Sequence, residues 1–246
     1  MAPLTGITAA VLAGGLGTRL REAVADKPKV LAQVNGRPFL AYLLDTLAGA
    51  GVRRAILCTG YLADQVRTAF GTEFGGVELL YSQEESPLGT GGALSLALPL
   101  LDSSPVLVLN GDSFCDADLA LFARQHLACG AAASLVLARV ADVARYGAVE
   151  TSGDGTITSF EEKGRRRGDG LINAGIYLLE RFLIEGLPAG RALSLEKELF
   201  PGLIGHGLYG FAQGGKFIDI GIPADYYAAG AFFADRRGLR PSGGQT

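Results

Sequence analysis

Three things are scarce in this chain, and each scarcity removes a class of function. There are three cysteines, Cys58, Cys115 and Cys129. Their number is odd and their spacing is not that of a thiolate metal site. A disulfide framework and a zinc ribbon are both excluded, and reduced thiols are expected. Histidine occurs twice, as His126 and His206, and neither sits in a motif. Excess positive charge is missing too: 22 Lys and Arg stand against 25 Asp and Glu, for a net charge of −3. Nucleic acid and an anionic membrane are therefore not expected as partners. No apolar run reaches membrane-spanning length, and no basic segment precedes an apolar stretch at the amino end. The expected compartment is the cytoplasm.

What the chain does have is a large apolar fraction, 48% of 246 residues, and 36 glycines. This suits a single globular domain, expected over residues 1–237, with a polar flexible tail at 238–246. Up to about residue 130 the pattern alternates. Apolar runs at Ile7–Ala13, Ala55–Thr59, Val77–Tyr81 and Val106–Asn110 read as strands. Phe39–Ala50, Leu62–Phe70, Gly91–Leu101 and Asp118–Cys129 read as helices. Strands that are apolar throughout imply a parallel sheet covered on both faces, with ligands beyond the carboxyl ends of its strands. From 131 to 237 the texture changes. Strands are expected at Ala132–Ala138, Leu171–Leu179, Leu208–Ala212 and Phe217–Ile220, and a hairpin at Val149–Phe160. Helices are expected at Leu195–Ile204 and Ala224–Arg236. Lys163–Gly170, rich in basic residues, reads as a solvated loop rather than a substrate lid.

The first strand runs into Ala13-Gly14-Gly15-Leu16-Gly17-Thr18-Arg19-Leu20, and Lys27-Pro28-Lys29 follows. Glycine lets backbone N–H groups approach an anion, Arg offers a fork to phosphate oxygens, and Lys brings a mobile point charge. The third glycine of a dinucleotide-binding turn is absent, and so is the Gly-Lys-Ser/Thr of a P-loop. The segment reads as a different kind of phosphate site. Asp112, after an apolar strand and a glycine, is placed to hold Mg²⁺ beside such a site, or to serve as a helix cap or turn residue. Asp219 lies inside an apolar strand, where a carboxylate is costly to bury without a partner. A metal shared with Asp112 would supply that partner, and so would a salt bridge. Asp116 and Asp118 form a D-x-D whose second member reads as a helix cap. Glu161, Glu162 and Lys163 could serve sugar hydroxyls and a phosphate, or form a charged edge. Asn173 and Gly175 are unusual inside a strand and fit the close approach of a polar ligand. Gly147 and the Gly89–Gly92 run could let a ring lie on backbone.

Taken together, Gly14–Leu20, Pro28–Leu31 and Val34–Pro38 resemble the ordered motifs of the sugar-phosphate nucleotidyltransferases, and the likeness covers about Ile7 to Ala229. The resemblance implies an α/β fold, with a Rossmann-like mixed, mainly parallel sheet flanked by helices. It implies an enzyme that takes an NTP and a sugar 1-phosphate, with Mg²⁺ as cofactor. Residues 1–130 would form the nucleotide-binding half and 131–237 the sugar-phosphate half. Arg19, Lys29, Asp112 and Asp219 would be catalytic, and Asp112 and Asp219 would hold the metal. Leu12, Ala13, Gly14, Gly15, Gly17, Thr18, Gln83, Gly89 and Thr90 would bind the nucleotide. Gly147, Glu161, Lys163 and Asn173 would bind the sugar phosphate. Pro87–Gly92, Asn110–Asp112, Arg145–Gly147, Gly170–Tyr177 and Phe217–Pro223 carry a narrower likeness to guanylyl-transferring members that act on a heptose 1-phosphate. Arg21-Glu22-Ala23-Val24 stands where thymidylyl- and uridylyltransferases carry Pro and Thr. A homodimer is left open.

Overall fold

A computed structural model describes residues 4–15, 17, 20, 26–161, 163–213 and 215–234. Arg19, Thr18, Glu162 and the expected tail lie outside the described residues. The elements in chain order begin with β1 (Ala9–Leu12), the short ribbon β2 (Gln33–Val34) and β3 (Arg37–Pro38), and α1 (Phe39–Gly49). Then come β4 (Arg54–Thr59), α2 (Ala63–Phe70), β5 (Glu73–Phe74), β6 (Val77–Gln83), α3 (Gly89–Ala97) and β7 (Val106–Asn110). They are followed by β8 (Ser113–Cys115), α4 (Leu119–Cys129), β9 (Ala133–Val140), β10 (Val149–Thr151) and β11 (Ile157–Phe160). The chain continues through β12 (Gly170–Leu179), α5 (Arg181–Glu185), α6 (Phe200–Gly202), β13 (Leu208–Ala212), β14 (Phe217–Asp219) and α7 (Pro223–Phe232).

Eight strands form one sheet in the order β13-β9-β12-β7-β1-β4-β6-β5. β7, β1, β4 and β6 run parallel. β12 lies antiparallel between β7 and β9, so the sheet is mixed and crosses from one half of the chain to the other without a break. Successive side chains of a strand point to opposite faces. Ala9, Val11, Leu57, Leu107 and Leu109 join the core under α1, α2 and α4. Ala10, Ile56, Cys58, Val106 and Val108 join the core under α3 and α5. Both faces are buried, which is why these strands read as unbroken apolar runs.

The helices follow local rules. α1 opens after Pro38 and buries Leu40, Leu43, Leu44 and Leu47, an i, i+3, i+4, i+7 stripe. Asp118 caps α4, its Oδ1 accepting from Leu121 N–H at 2.8 Å, so the second acid of the D-x-D has the capping role expected of it. Two expected helices come out differently. Gly91–Leu101 begins earlier, at Gly89, and tightens into a 3-10 turn at Leu98–Leu100. Leu195–Ile204 is a π-helical turn at Leu195–Leu199 running into the short α6. β2, β3, β5, β8 and α5 were not legible as elements. None exceeds five residues, too few for a period to show. Among the described residues no helix is long and apolar enough to cross a membrane.

Candidate active site

The carboxyl ends of β7, β1, β4 and β6 lie side by side, and a cavity of about 270 Å³ opens beyond them. β1 contributes Leu12 and, just past its end, Ala13, Gly14 and Gly15. Beyond β6 come Glu84 and Pro87, and α3 adds Gly89, Thr90 and Ala93. Asn110, Asp112 and Lys29 close the far end. Of the residues expected to bind the nucleotide, Leu12, Ala13, Gly14, Gly15, Gly89 and Thr90 meet here. Gly17 sits outside the lining and packs against Lys29. Gln83 is exposed and does not line the cavity; its neighbour Glu84 does.

At the closed end Lys29 Nζ donates to Asp112 Oδ2 at 2.7 Å and lies 3.8 Å from Asp219 Oδ1. These groups come from distant parts of the sequence. What joins them is an antiparallel ladder between β14 and β8, with Asp219 opposite Ser113 and Ile218 opposite Phe114. Ile220 N–H extends it to the Asp112 carbonyl at 3.0 Å. The Asp219 carboxyl is pushed above its ordinary pKa, first by burial and then by the charge of Asp112. Lys29, the Gly221 N–H and Lys163 pull in the other direction. Of the two partners foreseen for Asp219, the salt bridge is present, to Lys29. Two converging carboxylates suit Mg²⁺, which binds few protein carboxylates and fills its shell with phosphate oxygens and water. Among the described residues no group of three or more potential protein ligands gathers anywhere, as a zinc or calcium cage would require.

On the other side of Asp219 lies the segment Arg145–Gly147. Arg145 forms a two-pronged ion pair with Asp225 in the first turn of α7. The Tyr146 ring meets Phe217 of β14 edge-on at 5.5 Å. Gly147 has φ +84°, and a Cβ there would stand 2.5 Å from the Glu161 carbonyl oxygen. This glycine serves close passage of two backbone segments rather than a bare platform. The same holds for Gly92, where a Cβ would meet the Arg191 carbonyl at 2.5 Å. Among the described residues, Glu161 Oε2 and Asn110 Oδ1 are buried without a hydrogen-bond partner. Lys163 is exposed, and the segment from 163 to 169 that follows it is exposed throughout, in keeping with a solvated loop.

Asn173 is engaged internally. Its Oδ1 accepts from Gly175 N–H at 2.9 Å, and its Nδ2 donates to Tyr177 Oη at 3.1 Å. The Asn-Ala-Gly stretch coincides with a register break against β9 between Asn173 and Tyr177, the physical reason for weak strand formers there. Buried Tyr177 donates to Glu196 Oε1 at 3.1 Å, and Thr90 Oγ1 donates to Glu196 Oε2 at 2.8 Å. This network, centred on a glutamate of the π-helical turn, was not foreseen. It ties α3 at the cavity to β12.

A model of the nucleotidyl transferase family matches residues 8–236. The chain is 36% identical over 222 residues to D-glycero-alpha-D-manno-heptose 1-phosphate guanylyltransferase of Aneurinibacillus thermoaerophilus, covering 90% of this chain and 96% of that protein. It is 37% identical over 244 residues to a mannose-1-phosphate guanylyltransferase of Mycobacterium tuberculosis, covering 96% of this chain but 66% of that longer enzyme. The crystal structure of HddC from Yersinia pseudotuberculosis superposes with a TM-score of 0.83 at 36% identity, covering 92% of this chain and 99% of HddC. HddC complexed with GMP-PN superposes with a TM-score of 0.82. The family model's match to residues 8–236, with relatives 36–37% identical over 90% or more of this chain, shows that the chain belongs to the nucleotidyl transferase family.

Proposed function

We propose that the chain transfers a guanylyl group from GTP to D-glycero-α-D-manno-heptose 1-phosphate in the cytoplasm, giving a GDP-heptose and pyrophosphate. The observation that carries the nucleotidyl transfer is the meeting of Lys29, Asp112 and Asp219 at the closed end of a glycine-lined cavity. The guanine and heptose preferences rest on likeness to the heptose enzyme, which this chain matches over nearly its full length, and to HddC, solved with GMP-PN. The mannose-1-phosphate relative supports mannose 1-phosphate as the second acceptor to test.

The acceptor phosphate has a second pKa near about 6, so its oxygen is already anionic at neutral pH and needs no general base. That oxygen forms a new bond to the α-phosphorus of the nucleotide, and the bond from that phosphorus to pyrophosphate breaks. The difficulty is bringing two polyanions together. Asp112 and Asp219 would hold Mg²⁺, which supplies charge neutralisation at the α-phosphate when bound. Lys29 holds both carboxylates and offers its ammonium to the triphosphate. Lys163, close enough to bias Asp219, faces the acceptor phosphate. The unpaired Glu161 and Asn110 oxygens accept from sugar hydroxyls. In this reading Arg19 and Thr18 complete the phosphate loop. Pyrophosphate release over a grid of NTPs and sugar 1-phosphates, with and without EDTA, tests the scheme. Release that needs no acceptor, or that survives EDTA undiminished, overturns it.

A further inference from the structure

Lys29 is seated on the very carboxylates that the scheme above gives to a metal. Nζ donates to Asp112 Oδ2 at 2.7 Å and stands 3.8 Å from Asp219 Oδ1. The lysine side chain is 12% exposed, against 45% for Asp112 and 34% for Asp219. The ammonium is the most covered member of the three. Two glycines let backbone close on it. A Cβ on Gly221 would come 3.3 Å from Nζ, and one on Gly17 would come 3.2 Å from Lys29 Cβ. Gly17 belongs to the glycine loop, so the same side chain touches that loop with its stem and the carboxylates with its tip. The backbone of Lys29 is fixed. It opens a 3-10 turn that buries Val30 and Leu31, and its carbonyl accepts from Ala32 N–H at 3.0 Å. The backbone of Asp112 is held by Ile220 N–H, and Asp219 Oδ1 accepts from Gly221 N–H at 2.6 Å. The part free to move is the four-carbon stem of the lysine, a flexible carrier of a point charge.

We infer that Lys29 is a resident cation that keeps Asp112 and Asp219 from holding a divalent metal until a triphosphate draws the ammonium away. This rests on the nucleotidyl-transfer reading above and deepens it. Two carboxylates alone present two negative charges. With Lys29 seated they present one, and a charge-assisted hydrogen bond ties up an oxygen of Asp112. A metal that arrives by itself must break that bond and meet a like charge. Phosphate oxygens change both terms, because they offer the ammonium another acceptor and help to fill the shell of Mg²⁺. Metal and nucleotide then favour each other through one side chain, and the coupling is reciprocal. Lys163 lies near enough to bias Asp219, without an ion pair to it among the described residues. It therefore serves as the control for a charge that acts only through space.

The experiment is calorimetry of Mg²⁺ alone, without nucleotide, on the wild type and on Lys29→Met, which keeps the length of the side chain and loses its charge. The variant is expected to bind Mg²⁺ more tightly by about tenfold or more, the usual value of a hydrogen bond between charged groups. Equal or weaker binding by the variant overturns the inference and leaves the nucleotidyl-transfer reading standing. Lys163→Met is expected to change the affinity by less than about threefold. An equal gain in both variants would mean a general field rather than a seated cation, and would also overturn the inference. The wild type tests it without any variant. Mg²⁺ alone is expected to bind more weakly than about 1 mM, and a dissociation constant below about 0.1 mM overturns the inference. Adding Asp219→Asn to Lys29→Met is expected to abolish the gain. A gain that survives puts the metal elsewhere and overturns both the inference and the metal assignment.

Discussion

The nucleotide side of the cleft is framed by the ends of four parallel strands, whereas the side proposed for the sugar phosphate comes from a turn, a hairpin edge and a bulged antiparallel strand. The polar groups differ accordingly. On the first side they are paired within the protein: Lys29 with Asp112, Glu84 with Leu88, Thr90 with Glu196. The Glu161 acceptor left without a partner belongs to the second side, and that of Asn110 to the border. A phosphate chain meets a site set in advance by backbone and ion pairs. In the proposed scheme a sugar, rich in hydroxyl donors, would meet acceptors still open. Asp219 joins the two sides, and its strand is held from both.

The largest expected effect tests that junction. Asp112→Asn and Asp219→Asn should each lower kcat by at least about 10²-fold, as loss of a main electrostatic element does. Their stabilities should part. Asp112→Asn takes the close partner from Lys29 and should lower the Tm. Asp219→Asn removes a half-buried charge repelled by Asp112 and should leave the Tm equal or higher in metal-free buffer. Melts and turnover on the same samples decide this. Equal Tm losses would mean the two carboxylates are not differently placed.

Substrate kinetics sharpen the division between the sides. Lys163→Ala should raise KM for the sugar 1-phosphate by about 10-fold or more, with a smaller change for the NTP. Lys29→Ala should weaken NTP use or kcat first. Parallel changes in both KM values for both variants would remove the division.

A smaller effect concerns the network that ties α3 to β12. Tyr177→Phe takes a hydroxyl from between Glu196, Asn173 and Asn110 and should destabilise by about 1–3 kcal/mol. Chemical denaturation measures it, and a loss below about 0.5 kcal/mol would show that the network is slack.

The smallest effect is on pH. His126 is buried, with Nδ1 at 2.8 Å from Ser134 Oγ and Nε2 at 3.2 Å from Glu180 Oε1. Burial lowers its pKa from 6.5, with Glu180 opposing. The unfolded chain therefore takes up this proton first as pH falls. Stability from this residue is present above about 6.5 and declines below it until the lowered folded value is passed. His126→Gln should remove that part of the slope in melts between about pH 7.5 and 5. An identical slope in the variant would assign the acid sensitivity elsewhere.

The parallel half of the sheet was legible because strands buried on both faces carry unbroken apolar runs that survive without context, as in Ala55–Thr59. Asp219 was legible as a charge in an apolar strand. Its partner strand Ser113–Cys115 was not, since three residues have no period and the pairing joins segments far apart in sequence. That Glu84 lines the cavity and Gln83 does not was hidden, because Gln83 ends β6 and the turn beyond it carries Glu84 inward. The π-helical turn looked like ordinary helix. Its wider winding accompanies the bonds from Tyr177 and Thr90 to Glu196.

The short ladder between β8 and β14 also sets an order of events in synthesis. The ends of β1, β4, β6 and β7 are all made before residue 111 leaves the ribosome, but the second carboxylate arrives after β13. Domains form from their amino end as the chain emerges. The first carboxylate thus emerges long before the second, and the α3 wall of the cavity also waits for later residues, since Thr90 is held by Glu196. The two carboxylates are brought together only by the strand that closes the ladder, so their meeting is among the last events in the making of the site.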